Sequence, residues 1–123
     1  MKAISIRQPW AWLIVRGHKD IENRDWYTGY RGEILVHSSK GMTKAEYQDA
    51  QDLCLCMKRP LITLPPFEEL ERGGIVGSVV ITDCVSESDS PWFFGKFGFV
   101  LEGAKTLPFR PYRGQLGIFE VQP

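Results

Sequence analysis

Residues Ile75–Val85 read Ile-Val-Gly-Ser-Val-Val-Ile-Thr-Asp-Cys-Val, a proline-free run dominated by β-branched side chains. Branching at Cβ stiffens χ1 and suits a pleated, packed surface, so this run commits the chain to a sheet. Gly73-Gly74 opens it and the polar loop Ser86–Pro91 closes it. Gly77, inside the run, marks a bend, since glycine in a strand often sits at a bulge or barrel corner. Shorter segments join it. Lys2–Arg7 alternates and predicts a first strand, Ile21–Trp26 a second and Glu33–Ser38 a third. Phe97–Glu102 and Leu116–Val121 predict two more, with Thr106–Gly114 between them as a proline-containing loop.

Only two segments read as helix. Pro9 suits the first turn of a short one carrying Trp10, Trp12, Leu13 and Val15, and Gly17 supplies its left-handed stop. Thr43 with Glu46 three residues on is a capping-box pattern and starts a second helix that runs to about Met57. Three prolines in Arg59–Pro66 predict an extended connector. Five or six strands with two helices in 123 residues give an α+β fold or a β-barrel, with a strongly bent or closed sheet. A doubly wound parallel fold is excluded.

Charge sharpens the reading. Fifteen Lys+Arg balance fifteen Asp+Glu, for a formal net charge of zero. The balance is uneven along the chain: residues 1–44 carry eight basic and four acidic side chains, the remainder seven and eleven. Zero net charge argues against indiscriminate binding of long duplex DNA and leaves room for a local basic cleft. The longest unbroken apolar run is Trp10–Val15, far short of the ~20 residues a membrane span needs. No leader pattern opens the sequence, and three cysteines, an odd number, agree with a reducing, cytoplasmic setting. Cys54 and Cys56, two apart on a helix, point to different sides and do not present two thiolates to one zinc. With only two histidines, a multi-histidine site is excluded as well, so neither a metal nor a cofactor is expected.

Chemistry concentrates in Gly17-His18-Lys19-Asp20-Ile21-Glu22-Asn23-Arg24-Asp25-Trp26. On a strand Glu22, Arg24 and Trp26 share a face, and Lys19 lies in the turn before them. In an open setting these groups form a modest surface ion pair. In a dry one the lysine loses its proton more readily and becomes a base or nucleophile, with Glu22 moving protons. Gln8, at the strand–helix junction, carries an amide suited either to a base edge or to backbone groups. His37-Ser38-Ser39-Lys40 can hold a phosphate or cap a loop. Ser86–Trp92 places carboxylates, Asp89 among them, beside an aromatic ring. Trp26, Tyr27, Tyr30 and Trp92, interleaved with Arg24, Arg31 and Lys40, are candidates to stack on bases.

Ile4-Ser5-Ile6-Arg7-Gln8-Pro9-Trp10 followed by Gly17-x-Lys19-x-x-Glu22-x-Arg24 resembles the signature of ASCH domains. The likeness continues through Trp26-Tyr27-Thr28, Tyr30-Arg31-Gly32, Ser86–Pro91 and Gly114–Val121. It is closest to the branch of the coactivator activating signal cointegrator 1. The resemblance implies a single ASCH domain over residues 1–123, folded as a PUA-like β-barrel of five or six strands with two main helices. It also implies a cleft beside the barrel, lined by the motif residues, that takes RNA or other nucleic acid. Some small bacterial relatives in the family are hydrolases. One branch removes the acetyl group from acetylated cytidine with the motif lysine, which carries over to Lys19, and another is described as a ribonuclease. In the amidohydrolase branch a threonine stands where this chain has Glu22.

Two functions follow as expectations. In a binding module for RNA, single-stranded nucleic acid or a nucleotide or nucleoside, Lys19, Arg24 and Lys40 meet phosphate. Gln8 and Glu22 then read polar edges, and Trp26 or Trp92 stacks. Trp10, His37, Ser38 and Asp89 complete the candidate ligand set. In a hydrolase acting on a modified nucleoside or on RNA, Lys19 and Glu22 are the catalytic groups. A third reading, an adaptor for protein partners, requires an exposed apolar patch outside the cleft.

Overall fold

The computed structural model describes residues 1–57 and 61–123. In chain order the elements are β1 (Lys2–Ile6), α1 (Trp10–Val15), β2 (Ile21–Arg24), β3 (Gly32–Ser38), α2 (Lys44–Cys56), β4 (Gly74–Val85), β5 (Phe97–Pro111) and β6 (Ile118–Glu120). All six strands form one curled sheet in the order β2-β5-β4-β3-β1-β6, a half-barrel with two helices. This is the α+β architecture that the strand pattern predicts, and it is consistent with the PUA-like barrel that the resemblance implies. β1 and β3 run parallel, and every other neighbouring pair is antiparallel. The expected connector at 59–66 is without helix or strand from Leu61 onward, while Arg59 and Pro60 lie outside the described residues. Among the described residues no helix is long and apolar enough to cross a membrane.

The curl has a local cause. The β4–β5 ladder slips register three times, between Ile75 and Gly77, Ser78 and Val80, and Ile81 and Asp83. Each extra residue on one strand bends it and increases its twist. The expected bend at Gly77 falls at the first of these slips. A Cβ there would stand 2.2 Å from the Lys105 carbonyl oxygen and 2.6 Å from Val15 Cγ1. Only glycine therefore lets α1 settle against the bent strand. The core inside the curl is built from Ile4, Ile6, Ile14, Val36, Val79 and Phe99. A second cluster of Leu13, Ile21, Ala50, Cys54 and Trp92 packs beneath α2.

Several boundaries differ from the sequence expectation, β6 among them, which is Ile118–Glu120 rather than Leu116–Val121. The proline-containing loop expected at 106–114 is strand as far as Pro111. Proline is tolerated there because β2 pairs only with Phe97–Val100 and Asp20 adds a bond from the Leu101 N–H, so among the described residues no strand pairs with the outer edge of β5 beyond that point. The second strand ends at Arg24 rather than Trp26. The capping box is formed: Thr43 Oγ1 accepts from the Glu46 N–H, and Glu46 Oε1 accepts from the Thr43 N–H.

Gly77→Ala is expected to lower the unfolding free energy by about 1–3 kcal/mol in urea denaturation, the usual cost of overpacking. Gly29→Ala, whose Cβ meets nothing within 4 Å, should stay within about 0.5 kcal/mol of the parent.

Candidate functional site

The segment that ends α1 also fixes the charged cluster. Gly17 takes φ 79°, and the N–H groups of His18 and Lys19 both donate to the Leu13 carbonyl. This ties the backbone of Lys19 under the helix, and its side chain folds back so that Nζ donates to the Ile21 carbonyl. Nζ lies 3.8 Å from Glu22 Oε1. The other carboxylate oxygen of Glu22 accepts from Arg24 Nε at 2.8 Å, and Arg24 Nη2 donates to the Ser5 carbonyl at 2.6 Å. Lys19 is 5% exposed and Glu22 8%, so one buried carboxylate stands between two cations.

Burial dominates the electrostatics of Lys19. Loss of hydration pushes its pKa below the ordinary 10.5, and the charge of Arg24 pushes the same way. The carboxylates of Glu22 and Asp20 oppose the shift without cancelling it. The ammonium is thus held in place but costs more to keep charged than a surface lysine.

These groups line a cleft of about 480 Å³ together with Ser5, Arg7, Trp10, Asn23 and Phe94. Arg7 makes a bidentate pair with Glu46 of α2 at 2.5 Å. That hydrogen bonding holds the Glu46 carboxyl down at about 2. Asn23 donates to the Trp92 carbonyl and accepts from the Phe94 N–H, both within 2.9 Å. It thereby fastens the loop that carries the exposed ring of Phe94.

Of the residues singled out from the sequence, Trp10, Lys19, Glu22 and Arg24 meet in this cleft. The others lie elsewhere. Gln8 is buried, donating to the Glu71 carbonyl and accepting from the Trp12 N–H. Trp26 packs edge-on against Phe99. Ser38 is buried and donates to the Gly74 carbonyl. Trp92 is sunk in the cluster under α2, and Asp89 is exposed on its loop. His37 and Lys40 line a neighbouring hollow of about 450 Å³ that shares Ser5 with the cleft. Ser5, Arg7, Asn23 and Asp25 stand in the segments singled out from the sequence but not in the expected ligand set, and Leu53 and Phe94 were not expected at all. Alternation along the first strand does put Ser5 and Arg7 on one face. The Asn23–Phe94 contact spans 71 positions and leaves no local signal.

Comparison with known proteins finds the family described as ASCH domain matching residues 4–105. The chain is similar to activating signal cointegrator 1 from Homo sapiens, 31% identical over 105 residues, covering 74% of this chain and 18% of that protein. The Mus musculus protein of the same name is 32% identical over 85 residues, covering 68% and 14%. The chain thus spans less than a fifth of the length of these relatives.

The buried lysine makes a pH prediction. Unfolded, Lys19 keeps its proton up to about 10.4; folded, it releases it at a lower pH. Inside that window the unfolded state binds more protons, so stability rises with pH by up to about 1.4 kcal/mol per unit. Urea unfolding of the parent and of Lys19→Met across pH 7–10.5 should show their difference rising in favour of the parent. Parallel profiles would refute the shift.

Proposed function

The chain belongs to the ASCH domain family, and from that premise we propose that its cleft binds a nucleotide or a short segment of single-stranded RNA. The observation that carries the reading is the joining of fixed cations and flat rings in one hollow. Arg24 and Lys19 share the buried Glu22, while Trp10 and the exposed Phe94 line the same space. Cations meet phosphate, rings stack on bases, and Asn23, Asp25 and Glu22 offer donors and acceptors for base edges. A volume of about 480 Å³ lies in the range of small-molecule sites and admits one or two nucleotides rather than a duplex. The neighbouring hollow, with His37 and Lys40, takes the next phosphate of a longer strand. Gln8, Trp26, Ser38, Trp92 and Asp89 do not line the cleft and lie outside the contact set. The three free cysteines suit a reducing, cytoplasmic setting.

A second reading rests on the burial of Lys19. An amine made less basic, 3.8 Å from a carboxylate, is equipped to act on an amide or ester of a modified nucleoside, with Glu22 relaying the proton. Release of product from acetylated cytidine, abolished by Lys19→Ala with binding kept, would establish that activity.

Binding is tested with Phe94→Ala, which removes a ring that is 54% exposed and leaves the core intact. Affinity for a short single-stranded RNA, followed by tryptophan fluorescence, should weaken by about 1–3 kcal/mol, roughly 5- to 150-fold. The logarithm of the binding constant should fall only shallowly with the logarithm of salt, by about 0.7 per phosphate neutralised. Equal affinity of parent and variant, or no saturable binding of any nucleotide or single strand, would overturn the reading.

A further inference from the structure

Parallel pairing of β1 with β3 sets Ser5 opposite His37, and neighbours in such a pair project to the same face. Ser5 Oγ lies 2.9 Å from His37 Nδ1, and His37 Nε2 lies 2.6 Å from the Tyr112 carbonyl oxygen. A carbonyl oxygen can only accept, so Nε2 carries a proton and donates it to Tyr112. In the neutral ring Nδ1 is then the lone-pair nitrogen, and the Ser5 hydroxyl donates to it. The imidazole is 2% exposed, and the Phe119 ring meets it edge-on at 6.0 Å and 77°. Its orientation is therefore fixed on three sides.

Ser5 itself remains partly exposed and lines both hollows. One wall beside it is bare backbone. A Cβ on Gly114 would stand 2.8 Å from Ser5 Oγ and 2.7 Å from His37 Cε1. Arg24 reaches the same residue from the cleft side, donating to the Ser5 carbonyl. On the far side the second hollow is lined by Lys40 and Arg113, both exposed, with no carboxylate among its lining residues.

We propose that Ser5 and His37 are a nucleophile and general base that hydrolyse an acyl ester of a phosphate-bearing alcohol. Ser5 Oγ attacks the acyl carbon while its proton passes to His37 Nδ1, and the Tyr112 carbonyl holds the resulting imidazolium. The positive charge of Arg24 faces the oxyanion. The bond to the leaving alcohol oxygen then breaks, that oxygen takes the proton from Nδ1, and Ser5 is left acylated. Water, deprotonated in turn by Nδ1, attacks the acyl-serine, releases the carboxylic acid and restores the hydroxyl. The phosphate of the substrate rests on Lys40 and Arg113. This activity uses neither Lys19 nor Glu22, but it shares Ser5 and Arg24 with the cleft and Lys40 with the neighbouring hollow, so a bound RNA strand and the ester substrate exclude each other.

Treating the intact protein with a fluorophosphonate probe, followed by peptide mass mapping, should place one label on Ser5. Ser5→Ala should abolish the label and lower p-nitrophenyl acetate hydrolysis at least 100-fold. His37→Gln, which still donates to Tyr112 but cannot take the proton, should slow labelling at least 100-fold. Inorganic phosphate at millimolar concentration should slow labelling of the parent but not of Lys40→Ala. A folded parent protein that stays unlabelled at Ser5, or labelling unchanged in His37→Gln, would overturn the proposal. Should that variant fail to fold, the labelling site in the parent still decides. Lack of phosphate protection would overturn the assigned substrate class.

Discussion

The curled sheet ends at β2 on one side and at β6 beside β1 on the other. Strand pairing does not join these ends; a guanidinium does. β6 pairs with β1 only as far as Ile4, and Arg24 of β2 donates to the next carbonyl, that of Ser5. The guanidinium keeps this reach because the Glu22 carboxylate holds its Nε, and Lys19 and Arg24 flank that carboxylate in a buried place. Three charges so arranged depend on one another. Removing Glu22 leaves both cations without their shared carboxylate, which in a buried place costs several kcal/mol, whereas removing either cation leaves the carboxylate one partner. The seam of the sheet and the candidate cleft are therefore the same place.

A second tie sets the cleft's outer side. Glu46 caps α2 through Thr43 and at the same time grips Arg7, which follows β1 directly. One carboxylate thus ends a helix and fixes that helix to the sheet, so Leu53 on α2 borders the hollow. The arrangement explains why the basic N-terminal part of the chain does not simply repel itself. Lys2, Arg7, Lys19, Arg24 and Arg31 are each given a carboxylate by the fold, and what remains for a ligand is local positive potential rather than a net charge.

Much of this was legible in residue order because local physics decides it. Alternation put Glu22 and Arg24 on one face, three-residue spacing gave the Thr43–Glu46 cap, and β-branching marked the long strand. The turn after α1 could be expected from Gly17. What escaped notice depended on distant pairing. Gln8 offers an amide that looks free in the sequence, yet the Glu71 carbonyl, 63 positions on, occupies it. Trp92 sits in a polar stretch and still sinks beneath α2, because Asn23 draws its backbone inward. Phe94 becomes a wall of the cleft through that same asparagine. The extent of β5 was hidden because prolines argue against strand unless one flank is known to be unpaired.

That unpaired flank has a consequence for behaviour in crowded solution. Beyond Leu101, whose N–H still donates to the Asp20 carbonyl, the outer side of β5 presents backbone groups to which another chain could add a strand, the usual first step of fibre growth. Pro108 and Pro111 have no N–H to give an incoming strand, and Lys105 and Arg110 place like charges where a second copy of the same edge would have to lie. The border that makes room for a fifteen-residue strand is thus also guarded against self-templating.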